Sequence, residues 1–145
     1  YKGIKMLNPK ISIVIPAYNE EEILQKTIDK MENLLKKLVE KGVLSDESYL
    51  LFVNDGSADA TWDIIKDANK KNSAIKGIKF SRNFGNQSAI LAGYLSAKKI
   101  GCDAVITIDA DLQQDVNKIE DFVNAYKEGY DVVCGVRNSY TKNSA

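Results

Sequence analysis

The sequence predicts an α/β domain, an open and mostly parallel sheet with helices on both faces. Three observations carry this expectation. Strand-like and helix-like segments alternate from residue 11 to residue 135. The strand-like segments are short apolar runs, as expected of strands buried on both faces. The connections are short, which fits successive crossovers onto a parallel sheet. At 145 residues the chain is the size of one domain with one substantial core. Residues 1–10 read as an N-terminal extension and residues 11–145 as the domain, which lacks a closing element at its C-terminal end and so reads as truncated there.

Each element has its own local reason. Residues 11–15 are a β-branched run closed by Pro16, which suits a buried strand. Asn19 with Glu22 three residues on matches a capping box. Leu24, Ile28, Met31, Leu35 and Leu38 then follow at helical spacing and predict an amphipathic helix ending near Gly42. Residues 49–53 form a second strand running into Asn54-Asp55-Gly56-Ser57, and a helix carrying Trp62, Ile65 and Ala68 comes next. Residues 43–48, between the first helix and the second strand, read as a polar turn.

Residues 75–80 make a third strand. Residues 85–99 make a third helix, with Ile90, Leu91, Tyr94 and Leu95 expected on its inner face. Residues 104–108 are a fourth strand, Ile119, Phe122, Val123 and Tyr126 mark a fourth helix, and residues 131–135 a fifth strand.

Composition narrows the chemistry. Twenty basic and twenty acidic residues cancel, so no global field points to nucleic acid or to an anionic surface. The chain has no histidine, which excludes Ser-His-Asp and Cys-His nucleophilic mechanisms. Its two cysteines, Cys102 and Cys134, lack CxxC spacing and read as reduced structural thiols, hence a reducing, cytoplasmic compartment. No apolar stretch is long enough to span a bilayer.

In open parallel sheets, ligands bind beyond the carboxyl ends of the strands. Those ends here carry Pro16-Ala17-Tyr18-Asn19-Glu20, Asn54-Asp55-Gly56-Ser57, Ser81-Arg82-Asn83-Phe84-Gly85, Asp109-Ala110-Asp111-Leu112-Gln113 and Val136-Arg137. The opposite ends show no such clustering. Asp109 and Asp111, separated by one residue at the exit of a strand, suit an oxygen-liganded hard cation, with Gln113 adding a neutral oxygen. The same spacing is equally that of a solvated turn or helix cap, since Asp is common in turns. Asp55 reads as an acceptor for a base or ribose, or as part of a turn before the next helix. Tyr18 reads as a stacking platform for a base or as core, and Arg82 as a phosphate partner or a surface charge.

Taken in order, IPAYNEEE (15–22), VNDGSADAT (53–61), SRNFGNQSAILAGYLSA (81–97), ITIDADLQQ (106–114) and CGVR (134–137) resemble the family 2 inverting glycosyltransferases of GT-A fold. They are closest to those that use a polyprenyl phosphate (dolichol or undecaprenyl phosphate) as acceptor. The resemblance implies a nucleotide-sugar donor (UDP- or GDP-sugar), transfer with inversion, and Mg2+ or Mn2+ as cofactor. It implies a nucleoside pocket of Pro16, Ala17, Tyr18, Glu20, Asn54 and Asp55. It also implies metal and diphosphate ligands at Asp109, Asp111 and Gln113, the two aspartates being the catalytic pair, and a basic acceptor-phosphate position at Arg137. Arg82, Asn83 and Gly85 match a signature that shapes the pocket.

Two positions depart from the family pattern. Asn54 stands where an acid is usual, and Gln114-Asp115-Val116 where a proline commonly follows. The resemblance further implies membrane association, at the cytoplasmic face, through parts outside this chain, and leaves homo-oligomerisation open. A family 2 enzyme acting on a polysaccharide or surface glycan, and a non-catalytic nucleotide-sugar-binding module, are the alternative readings. A receiver domain of response-regulator type would place an acid pair after the first strand and a lysine after the fifth, where this chain has PAYNE and Arg137.

Overall fold

A computed structural model of the protein describes residues 8–113 and 115–129. The elements alternate as expected: β1 (Ile11–Ala17), α1 (Leu24–Glu40), β2 (Tyr49–Asn54), α2 (Thr61–Lys71), β3 (Ile75–Lys79), α3 (Asn86–Ile100), β4 (Ala104–Thr107) and α4 (Lys118–Lys127). The expected fifth strand, with Cys134, and Arg137 lie outside the described residues.

The strands form one parallel sheet in the order β3-β2-β1-β4. The chain builds outward from β1 through β2 to β3, then returns to the other side of β1 to lay down β4. The order therefore reverses between β1 and β4. A crevice opens at such a switch point, because the crossovers on either side leave in opposite directions.

Side-chain alternation along the strands divides the core in two. Ile11, Ile13, Ile15 and Ala17 join Leu50, Phe52 and Ile75 on one face, under α1, α2 and α4. The α1 stripe of Leu24, Ile28, Met31, Leu35 and Leu38 is buried there as its spacing predicted. Val14, Tyr49, Leu51 and Val53 point to the other face, under α3. The result is a parallel sheet covered on both sides.

Three local expectations are corrected. Asn19 does not cap α1. Its φ is 52° and its side-chain oxygen accepts the Ala58 N–H at 2.8 Å, while α1 begins at Leu24 with no side-chain cap. The 43–48 connection is not simply polar, since Val43 and Leu44 are buried in the main core and the Ser48 hydroxyl accepts the Ile11 N–H at 3.0 Å. The inner face of α3 is Ala89, Gly93 and Ala97, whereas Leu91, Tyr94 and Leu95 are more than half exposed. The cause is close approach. A Cβ on Gly93 would overlap the Val14 side chain, so only small residues fit between this helix and the sheet.

Under α3 the Tyr49 hydroxyl is reached by the Cys102 thiol at 3.4 Å, and Cys102 is a free thiol. Burial, and then the Cys102 contact, push the Tyr49 phenol up to about 12. A group whose folded pKa is raised contributes stability that is complete below its unfolded pKa and is lost as pH rises through the folded value. The window here runs from about pH 10, the ordinary tyrosine value, to about 12. Denaturant titrations across that window are expected to show stability falling in the wild type. The Tyr49→Phe variant is expected to lack that step, and an identical alkaline profile in both proteins would contradict the assignment.

Candidate functional site

The crevice at the switch point is a cleft of about 320 Å³ lined by residues from the carboxyl ends of β1, β2 and β4 and from the start of α3. Its volume is at the lower end of the range usual for small-molecule sites. Four turns build it, and each is held by identifiable hydrogen bonds.

The turn after β4 carries the two aspartates. The β1–β4 ladder extends one residue beyond β4, with the Ile108 N–H bonded to the Val14 carbonyl at 3.1 Å. Ala110 then turns inward and is buried, and its carbonyl accepts the Thr27 hydroxyl of α1 at 2.6 Å. With the middle residue pinned beneath, Asp109 and Asp111 both line the cleft. Leu112, at φ 52°, closes the turn, and its N–H returns to the Asp109 carbonyl at 3.0 Å. Gln113 comes next, exposed and not among the lining residues, and its N–H donates to Asp111 Oδ1 at 3.3 Å.

The turns after β1 and β2 are stitched to each other. The Ser57 hydroxyl accepts the Asn19 N–H at 2.9 Å and the Thr61 hydroxyl accepts the Glu20 N–H at 2.9 Å. In return, Glu21 Oε1 accepts the Ala60 N–H at 2.9 Å. Asp59 accepts the Glu21 N–H at 3.2 Å and the Thr61 N–H at 2.9 Å. Burial works to raise the Asp59 carboxyl. The Thr61 hydroxyl, the Thr61 N–H and the Glu21 N–H together outweigh it and hold the group below its ordinary value. These bonds fix Pro16, Ala17, Tyr18 and Glu20 along one wall of the cleft. Tyr18 is about half exposed and so belongs to the cleft, not to the core.

The opposite wall is Asn83, Gly85 and Asn86, with Asp55 between the two walls. Asn54 is fully buried below them, its side-chain oxygen accepting the Ser57 N–H at 3.2 Å and its side-chain nitrogen making no hydrogen bond among the described residues. Arg82 is not a lining residue; its guanidinium lies 4.7 Å from the centre of the Phe84 ring.

Negative charge concentrates in the cleft. The Glu20 carboxyl sits above its ordinary value, first through partial burial and then through the charges of Asp111, Asp59 and Asp109. Among the described residues no three acidic, histidine or cysteine side chains close into a metal cage. Asp109 and Asp111, side by side in an open cleft, fit a different arrangement. They suit a hard cation that completes its oxygen shell with phosphate and water, as Mg2+ typically does.

The structure places most of the residues singled out in the sequence around one cleft. Pro16, Ala17, Tyr18, Glu20, Asp55, Asp109 and Asp111 are brought together. Asn54 and Gln113 are adjacent without lining. Asn86, Thr27 and Thr61 were not anticipated. Asn86 had a signal, a polar residue opening a helix directly after a glycine at a strand end. Thr27 had none, because its partner is 83 residues away.

Comparison with known proteins agrees with this architecture. The mannosyltransferase PcManGT from Pyrobaculum calidifontis, solved in complex with GDP-Man and Mn2+, superposes with a TM-score of 0.58 over 87% of this chain and 35% of its own, at 17% identity. That likeness supports the GT-A fold. The chain is 40% identical over 129 residues to the undecaprenyl-phosphate 4-deoxy-4-formamido-L-arabinose transferase of Yersinia pestis, covering 88% of this chain and 37% of that enzyme. It is 42% identical over 136 residues to the glycosyltransferase YkoT of Bacillus subtilis, covering 94% of this chain and 40% of that protein. It thus spans well under half the length of these relatives. The family model for glycosyl transferase family 2 matches residues 12–145, nearly the whole chain, and the chain belongs to that family of transferases.

Proposed function

We propose that the cleft binds the nucleoside diphosphate of a UDP- or GDP-sugar, and that the whole protein moves the sugar, with inversion, onto a polyprenyl phosphate. The carrying observation is the convergence of Asp109 and Asp111 with Tyr18 across one switch-point cleft. The ring of Tyr18 offers a face for the base, and Pro16, Ala17 and Glu20 continue that wall. Asp109 and Asp111, with Gln113 beside them, would hold Mg2+ or Mn2+ against the diphosphate. The cation supplies charge neutralisation for the leaving group.

The relatives support this reading from two sides. One acts on undecaprenyl phosphate by its name, and one was solved with GDP-Man and Mn2+. In the reaction, an acceptor phosphate oxygen forms a bond to the anomeric carbon as the bond to the nucleoside diphosphate breaks. A phosphate monoester is largely ionised at neutral pH, with a second pKa of about 6, so no side chain must first remove a proton. Arg137 would sit near that acceptor phosphate. No helix among the described residues is long and apolar enough to cross a membrane. Membrane association, at the cytoplasmic face, would then reside in polypeptide outside these residues.

Calorimetry of this chain with UDP- and GDP-sugars is expected to show binding with Mn2+ and much weaker binding with EDTA. Absence of binding to every nucleotide would overturn the donor-site reading. For the full-length protein with undecaprenyl phosphate, NMR of the product is expected to show the anomer opposite to that of the donor. Retention would remove the inverting displacement.

A further inference from the structure

Of the side chains that α1 buries, Leu24, Thr27, Ile28, Met31, Leu35 and Leu38, Thr27 alone carries a polar group. A hydroxyl has one proton to donate, and this one goes across the core to the Ala110 carbonyl at 2.6 Å, 83 residues along the chain. Ala110 is itself buried, so its carbonyl depends on a partner from the protein. That carbonyl belongs to the middle residue of the turn that carries Asp109 and Asp111. The turn is not one that its residues adopt by local preference. Leu112 closes it at φ 52°, in the left-handed region that disfavours a leucine. Such a conformation persists where the surroundings impose it. Here the Leu112 N–H bonds back to the Asp109 carbonyl at 3.0 Å, the Leu112 side chain packs against the main core, and Thr27 ties the backbone to α1.

We propose that Thr27 is a positioning residue for the cation, holding the 109–112 turn in the shape that sets Asp109 and Asp111 together on the cleft. Its effect on metal rests on the donor-site reading above; its effect on the turn does not. The pinned carbonyl is part of the peptide group between Ala110 and Asp111. Rotation of that group changes ψ of Ala110 and φ of Asp111, and so swings one carboxylate relative to the other. A cation that demands near-ideal octahedral geometry loses a ligand when that happens. Valine has the shape of threonine without the hydroxyl, and in its place would leave the buried carbonyl unpaired.

The test compares wild type with Thr27→Val and Thr27→Ser. Calorimetry of this chain with UDP and with GDP is run in Mn2+ and in EDTA, and amide hydrogen exchange is followed at Leu112. Groups that orient metal ligands from behind typically weigh about 10- to 100-fold in metal affinity. Thr27→Val is therefore expected to cut the affinity gained on adding Mn2+ by about 10-fold and to speed Leu112 exchange. Binding in EDTA is expected to be unchanged, because the turns that form the nucleoside wall are untouched. Serine keeps the hydroxyl and loses a buried methyl, so Thr27→Ser is expected to melt below wild type yet keep most of the Mn2+ gain. A valine variant that melts lower but keeps the full Mn2+ gain would overturn the proposal, because the hydroxyl would then serve stability alone. So would a serine variant as impaired as the valine one, since the methyl would then be the cause.

Should Thr27→Val fail to fold, Thr27→Cys places a weak S–H donor at the same position. It is expected to lower the Mn2+ gain several-fold, and an undiminished gain would equally overturn the proposal. If the wild type binds neither nucleotide, the donor-site reading fails by itself. Leu112 exchange then decides whether Thr27 holds the turn, and an unchanged rate in the variant overturns it.

Discussion

Asp111→Asn is expected to reduce sugar transfer by the full-length protein about 100- to 1000-fold and to abolish most of the Mn2+ dependence of nucleotide binding by this chain. The size follows from the task. Removing one preorganised group that stabilises developing charge typically costs two to three orders of magnitude, and here one of the two aspartates that the turn after β4 presents to the cleft is lost. Stability should move in the other direction. Asp111 is exposed, and its charge helps to raise the Glu20 carboxyl, so its removal relieves repulsion. A thermal melt without metal is therefore expected to be unchanged or slightly raised, while the wild-type increase on adding Mn2+ with nucleotide is lost. A variant that keeps its metal dependence would reduce the Asp109-Ala110-Asp111 segment to a solvated turn.

Gly56→Ala is expected to destabilise the chain by about 2–4 kcal/mol. Two effects add: the strain of a side chain at positive φ, about 1 kcal/mol, and overlap within a packed junction, typically 1–3 kcal/mol. The φ of Gly56 is 73°, and the added Cβ would meet the Arg82 carbonyl carbon and the Asn83 nitrogen, backbone atoms with no rotamer to escape into. Gly42 provides the control. Its φ is 75°, but none of the described residues comes within 4 Å of a Cβ built there, so Gly42→Ala should show the strain alone. Urea denaturation of both variants separates the terms. Equal losses at the two positions would show that the docked loop contributes nothing.

The contrast between those glycines also shows where sequence reading stops. Both can be recognised as turn residues by composition and position, and only the neighbour in space makes one of them indispensable. The same holds at Asn19. The Asn-x-x-Glu pattern is locally that of a cap, but the Ala58 N–H, 39 residues away, claims the side chain and α1 starts later. On α3 the bulky apolar residues suggested the buried face. The sheet instead admits only Ala89, Gly93 and Ala97, because Val14 occupies the space a larger side chain would need.

The alternation of short apolar runs with amphipathic helices was enough to determine a parallel sheet covered on both faces, since each segment has a period or composition that suits one role. The polar strand ends were likewise legible, because chain direction puts all of them at one rim of a parallel sheet. Strand order was not legible. The reversal between β1 and β4 that opens the cleft is a choice among crossovers of similar local cost, made by which apolar faces fill the core together. Nor were the partners of Asp55. Its residue type announces an acceptor, but only the tertiary structure brings up the three N–H groups, 28 to 30 residues along the chain, that it accepts from.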